Sequence, residues 1–123
     1  MALKKILIIE DEIAFLTLVS DQLVKNGYEV IKADDGKKGL TAAISQRPDL
    51  ILLDIRLPGM DGLDVLRELR KDVYGKKAKV VMLTNLEPDK EIMNKMLEGK
   101  PALYLIKSNV KLSELVAKVK ELV

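Results

Sequence analysis

The sequence predicts an α/β protein, a doubly wound (βα)5 fold whose five-stranded parallel sheet carries helices on both faces. Three observations lead there. Short apolar runs alternate with longer amphipathic ones along the whole chain. Three of the short runs, "ILII", "LILL" and "VVML", are almost continuously apolar, as strands buried on both faces read, whereas a one-sided sheet would alternate. The amphipathic runs separate the strands one by one, the order that parallel strands joined by right-handed helical crossovers require.

Taken in order, the strands are expected at residues 5–9, 29–33, 50–54, 79–83 and 103–106. The first helix follows from Phe15, Leu16, Val19 and Leu23 at helical spacing, with Gly27 as its stop signal. A shorter second pattern covers residues 39–44 and ends before Arg47 and Pro48. Leu63, Leu66 and Leu69 mark the third helix, with Gly75 beyond it. Ile92, Met93, Met96 and Leu97 form the fourth stripe, closed by Gly99 and Pro101, its methionines read as core filling. Leu112, Leu115, Val116, Val119 and Leu122 form the fifth and cleanest. No repeat, low-complexity tract or linker interrupts the series, so residues 1–123 are expected to be one domain.

Composition narrows the chemistry. There is no cysteine, which excludes disulfides and thiolate metal sites, and no histidine, which removes the usual general base and zinc ligand. Catalysis must rest on carboxylates, lysines, hydroxyls and backbone groups. A net charge of +2, with lysines scattered among acids, gives no argument for direct nucleic-acid binding. The run after Lys4 and Lys5 is too short for a signal peptide, and no stretch approaches the roughly 20 apolar residues of a membrane span. The expected location is the cytoplasm, away from membranes.

Ligands of open α/β sheets bind beyond the carboxyl ends of the strands. Strand one ends at Glu10 and Asp11, strand three at Asp54, strand four at Thr84 and strand five at Lys107. Each residue taken singly reads as a turn, a helix cap or a solvated charge. Together they place carboxylates, a hydroxyl and an ammonium at the same relative position in successive units. Asp11 and Asp54 can supply oxygen ligands to one Mg²⁺, with Glu10 helping directly or through water and a backbone carbonyl completing the set. Asp54 could then attack phosphorus to give an aspartyl-phosphate, with Lys107 neutralising its oxygens and Thr84 hydrogen-bonding one of them.

These motifs, "LIIEDE", "DLILLDIRLPGMDGLDVL", "VVMLT" and "YLIK", resemble in order the bacterial response-regulator receiver family, the CheY-like domains of two-component signalling. The resemblance spans nearly the whole chain and implies a flavodoxin-like sheet of strand order 2-1-3-4-5. It implies a regulatory phospho-acceptor domain rather than an enzyme acting on a separate substrate. Asp54 would be phosphorylated by a histidine kinase or a histidine phosphotransfer protein and would slowly dephosphorylate itself. Glu10 and Asp11 would match the acidic pair, and the backbone carbonyl of Arg56 a further ligand for Mg²⁺, or Mn²⁺ in its place. Thr84 and Tyr104 would be the switch residues. The fourth helix, fifth strand and fifth helix, roughly residues 90–123, would then engage a downstream protein, with oligomeric state open.

Three departures from the family pattern carry expectations. Ser108 follows Lys107 where proline preceded by a cis bond is common, so a trans bond or a reshaped loop is expected. Arg56 is expected to pair with Glu10, Glu12 or Glu87 and to obstruct the hydrolytic water. Asn85 follows Thr84 where a small residue is common, which would restrict access to the site. Other functions on related folds fit less well. A haloacid-dehalogenase-type phosphatase wants a second aspartate where Arg56 stands, and a flavin carrier wants a Ser/Thr/Gly-rich loop where three acids stand. A module that keeps the fold but takes no phosphate would not need the full Asp11, Asp54, Thr84 and Lys107 set.

Overall fold

The computed structural model describes residues 2–85 and 87–123. Its elements run β1 (Lys5–Ile9), α1 (Ile13–Lys25), β2 (Glu29–Ala33), α2 (Gly36–Gln46), β3 (Leu50–Leu53), α3 (Gly62–Leu69), β4 (Val80–Thr84), α4 (Lys90–Glu98), β5 (Leu103–Ile106) and α5 (Leu112–Leu122). The strands form one parallel sheet in the order β2-β1-β3-β4-β5. Leu7 pairs with Ile31 on one side and Ile51 on the other, and Ile51 in turn with Val80. The chain reverses its order of addition between β1 and β3, which opens a crevice at their carboxyl ends.

Alternation along each strand splits the core in two. Leu7, Ile9, Ile51, Leu53, Val80 and Met82 face the layer that holds Ala43, Val65, Leu66, Leu69 and Met96 from α2, α3 and α4. Their neighbours Ile6, Ile8, Leu50, Leu52, Val81 and Leu83 face Leu16, Val19 and Leu23 of α1 and Leu115, Val116 and Val119 of α5. With both faces covered, every residue of β3 and β4 must be apolar, or else satisfied by a partner, and this explains the continuous runs.

Boundaries differ from the expectation where local chemistry intervenes. The strand β3 stops one residue before Asp54, and β4 runs one residue further to include Thr84. Helix α2 begins earlier than expected because Asp35 caps it, accepting from the Lys38 N–H at 2.7 Å. It ends where Arg47 turns left-handed, at φ 50°, ahead of Pro48. The largest revision falls on α4, whose apolar stripe is only partly buried. Met96 is core, but Met93 is 37 % exposed and Leu97 64 % exposed. The nine-residue α4 packs as one of three helices on its face and turns one narrow side inward. No helix among the described residues is long and apolar enough to cross a membrane.

Candidate functional site

Asp54 lies immediately beyond β3, where its backbone N–H donates to the Ile9 carbonyl and keeps it in line with β1. It is 6 % exposed, and Thr84, at the end of β4, is 1 % exposed. Glu10 follows β1 and is likewise buried, whereas Asp11 stands exposed at the rim. Carboxylate oxygens of Glu10, Asp11 and Asp54 all lie within 4.8 Å of one another.

Lys107 reaches this cluster from the end of β5. Its ammonium donates to Asp54 Oδ2 at 2.9 Å and to Glu10 Oε1. Phe15 of α1 places its ring 4.7 Å from the same ammonium. The Arg56 N–H donates to Asp54 Oδ1 at 3.2 Å, fixing the rotamer of the carboxylate from behind. Asp11, Glu12, Asp54, Arg56, Thr84, Asn85, Glu87 and Lys107 line an open cavity of about 600 Å³ above these groups.

The electrostatics separate the two buried acids. Burial pushes Asp54 up, but hydrogen bonds from Thr84, Lys107 and Glu10 outweigh it and hold the carboxyl below its usual value. Burial also pushes Glu10 up, to about 7, opposed by Lys107 and reinforced by Asp54. For Lys107 burial favours the neutral amine, yet the bonds to Glu10 and Asp54 prevail and raise its pKa. Asp54 is thus kept ionised, and Lys107 charged, at the floor of the open cavity.

Glu10, Asp11, Asp54, Thr84 and Lys107, all named from the sequence, therefore converge at one end of the sheet. Tyr104 lies on β5, half-buried against the layer of α2, α3 and α4. Arg56 departs from expectation. Among the described residues it makes no ion pair with Glu10, Glu12 or Glu87, and its side chain stays exposed at the rim. No peptide bond among the described residues is cis, and Lys107–Asn109 forms a 3-10 turn.

Residues 6–120 match the family model described as "Response regulator receiver domain". The chain belongs to that family. Over 68 residues, 55 % of the chain and 28 % of the relative, this receiver domain is 46 % identical to the alkaline phosphatase synthesis transcriptional regulatory protein PhoP of Bacillus subtilis. It spans less than two thirds of the length of the curated relatives it matches. Among solved structures it superimposes on the receiver domain of the Pseudomonas aeruginosa sensor histidine kinase PA1611, crystallised with a magnesium ion in its active site cleft. The TM-score is 0.86 at 32 % identity, covering 98 % of each chain. Response regulator TrrA of Thermotoga maritima, in complex with Mg²⁺ and beryllofluoride, gives a TM-score of 0.82 at 34 % identity, covering 98 % of this chain and 99 % of the other. Like its relatives, the receiver domain is a regulatory component of two-component signal transduction.

Two features of this receiver domain were not foreseen as parts of the site. Phe15 reads in the sequence as one more apolar position of α1, and its ring contact depends on where β5 delivers Lys107. Asn85 and Ser108, noted separately as departures, are partners: the Ser108 N–H donates to Asn85 Oδ1 at 3.0 Å. Residues 23 positions apart give no local signal of such a bond.

Proposed function

We propose that residues 1–123 form one receiver domain that takes a phosphoryl group on Asp54 from a histidine kinase or a histidine phosphotransfer protein. The observation that carries this reading is a buried carboxylate kept ionised by Lys107 and Thr84 beneath an open cavity. One Asp54 oxygen attacks phosphorus as the bond to the donor's imidazole nitrogen breaks. The electron pair leaves with that nitrogen, which is left as neutral imidazole or takes up a proton from solvent. Lys107 needs only to turn from Asp54 towards the transferred oxygens, and the Thr84 hydroxyl can donate to one of them.

The donor set fits a hard dication. Three carboxylates gather within 4.8 Å of one another, and a single ammonium, that of Lys107, bonds two of them. Glu10, Asp11, Asp54 and the Arg56 backbone carbonyl would hold Mg²⁺, or Mn²⁺ in its place, oxygen ligands of the type both ions prefer. Bound there, the ion would supply charge neutralisation at the phosphoryl oxygens. The magnesium and beryllofluoride in the two related structures support this assignment.

Phosphorylation would draw Thr84 towards the new group and let Tyr104 pack inward, shifting the population of the α4-β5-α5 surface that meets a downstream protein partner. Water would slowly hydrolyse the acyl phosphate, returning Asp54. This reading places the domain in the cytoplasm, with protein partners and no direct contact to nucleic acid or membrane. Incubation with Mg²⁺ and acetyl phosphate should add one phosphoryl group by intact mass, none in Asp54→Asn and far less without the metal. Equal labelling of Asp54→Asn, or no labelling of the wild type, would refute it.

A further inference from the structure

The bond between Asn85 and Ser108 joins two loops that leave neighbouring strands. Thr84 pairs with Ile106 across β4 and β5, Asn85 follows the one, and Lys107 and Ser108 follow the other. Ser108 lies in the 3-10 turn Lys107–Asn109, so early in it that its N–H has no carbonyl of the turn to meet. The Asn85 side chain supplies the missing acceptor, at 3.0 Å. Only a residue with an N–H can make this bond, and a proline at position 108 could not.

From this we infer that Asn85 and Ser108 form a latch across the mouth of the site, which fixes the spacing of Thr84 and Lys107 and so favours capture of the phosphoryl group. The inference rests on the phospho-acceptor reading. The turn that carries Ser108 follows directly on β5, which its ladder with β4 holds as far as the Thr84 and Ile106 pair, so the turn is the fixed partner. Through the latch that fixed turn restrains the backbone immediately after Thr84. Asn85 lines the same cavity as Asp54, Thr84 and Lys107 and does not have to touch the phosphoryl group to act. It is a positioning residue: it restrains the backbone after Thr84, so that the hydroxyl need only turn about its own side chain to meet the phosphoryl group, and a donor so restrained loses less freedom when it binds an anion.

The test is beryllofluoride affinity in Mg²⁺, followed by titration of the whole chain, together with amide exchange at Ser108. Asn85→Ala should weaken beryllofluoride binding roughly three- to tenfold, the scale of one exposed hydrogen bond. Ser108→Pro, which deletes the donor, should weaken it by a similar factor. The double variant should be no worse than either single one, because both remove the same bond. Ser108 amide exchange should quicken in Asn85→Ala and stay slow in Ser108→Ala, which keeps the N–H. A merely structural role would lower the melting temperature and leave the beryllofluoride affinity unchanged. Wild-type affinity in Asn85→Ala, or losses that add in the double variant, would overturn the latch while leaving the phospho-acceptor reading intact. A wild type that binds no beryllofluoride would remove both.

Discussion

Gly62 shows how closely one residue can be tied to the site without carrying any chemistry. It is the first residue of α3, and a Cβ built on it would lie 2.0 Å from the Asp54 carbonyl oxygen and 2.8 Å from the Ile55 Cα. Both obstacles are backbone, so neither can swing aside. The Gly62 N–H donates to the Ile55 carbonyl at 2.7 Å, which pins the helix start against the loop that follows the acceptor. Gly62→Ala should therefore destabilise the domain by about 1–3 kcal/mol or more, the scale of an overpacked core. It should also slow labelling of Asp54 by acetyl phosphate, because the strain falls on the acceptor's own backbone. Urea denaturation and a labelling time course check the two effects, and unchanged values in both would show that the loop yields. The sequence reads Gly62 as part of a turn but cannot reveal that Asp54 approaches it.

The same scale explains which acids the sequence could rank. Asp35, Asp61 and Asp89 each precede a helix and accept a backbone N–H from it, at 2.7, 2.9 and 2.9 Å, as a solitary aspartate in a loop usually does. Asp11 and Asp54 stand at strand ends instead, where an oxygen of each lies within 4.8 Å of the other and of Glu10, and Asp54 accepts from Lys107 and from the Arg56 N–H. Position at a strand end was readable because the strands were. The partners of Asp54 were readable because each closes its own βα unit. Arg56 was not, because an exposed, long side chain on a loop has no pattern to restrict its direction.

At the scale of elements, legibility follows burial. The strands β1, β3 and β4 are covered on both faces, so their runs admit only apolar residues and stand out in the sequence. By contrast α4 has Ile92, Met93, Met96 and Leu97 in sequence but buries only Met96 fully, since a helix at the side of a layer needs a narrower stripe than its residues could fill. What holds α4 is partly polar. Arg70, just after α3, donates to the carbonyls of Gly75 and Ala78 in the loop before β4 and of Gly99 and Lys100 at the end of α4. The distances are 2.7 Å for the first three and 3.0 Å for Lys100. Planar and always charged, a guanidinium can satisfy four carbonyls from two loops, and an ammonium cannot reproduce that fork. Arg70→Ala leaves those carbonyls to water or to nothing, and should cost about 2–4 kcal/mol. Arg70→Lys should recover only a small part. Urea midpoints of the two variants decide it, and an Arg70→Lys domain as stable as the wild type would show that charge, not fork geometry, is what matters.

At the scale of the whole molecule, the sheet divides the apolar core into two layers that share only backbone. Val65 of α3 belongs to one and Val119 of α5 to the other, and both are almost fully buried. Truncating either to alanine removes buried methyl groups and opens a small cavity, a loss of about 1–3 kcal/mol each, slightly offset by the better helix propensity of alanine. A domain of this size has roughly 5–15 kcal/mol of net stability, so both variants and their combination should still fold. Because the two side chains lie on opposite sides of the sheet and share no neighbours, their costs should add to within about 0.5 kcal/mol. The layers are nevertheless bound to one set of strands: β1 presents Ile6 and Ile8 to one and Leu7 and Ile9 to the other. Neither layer can melt while the other holds those strands in register, so Val65→Ala, Val119→Ala and the double variant should each unfold in one transition with the wild-type urea dependence. Fluorescence of the tyrosines and far-ultraviolet circular dichroism, followed together through urea, test this. Separate midpoints for the two probes, or a double variant more than about 1 kcal/mol from the sum, would mean that the sheet transmits packing strain from one face to the other.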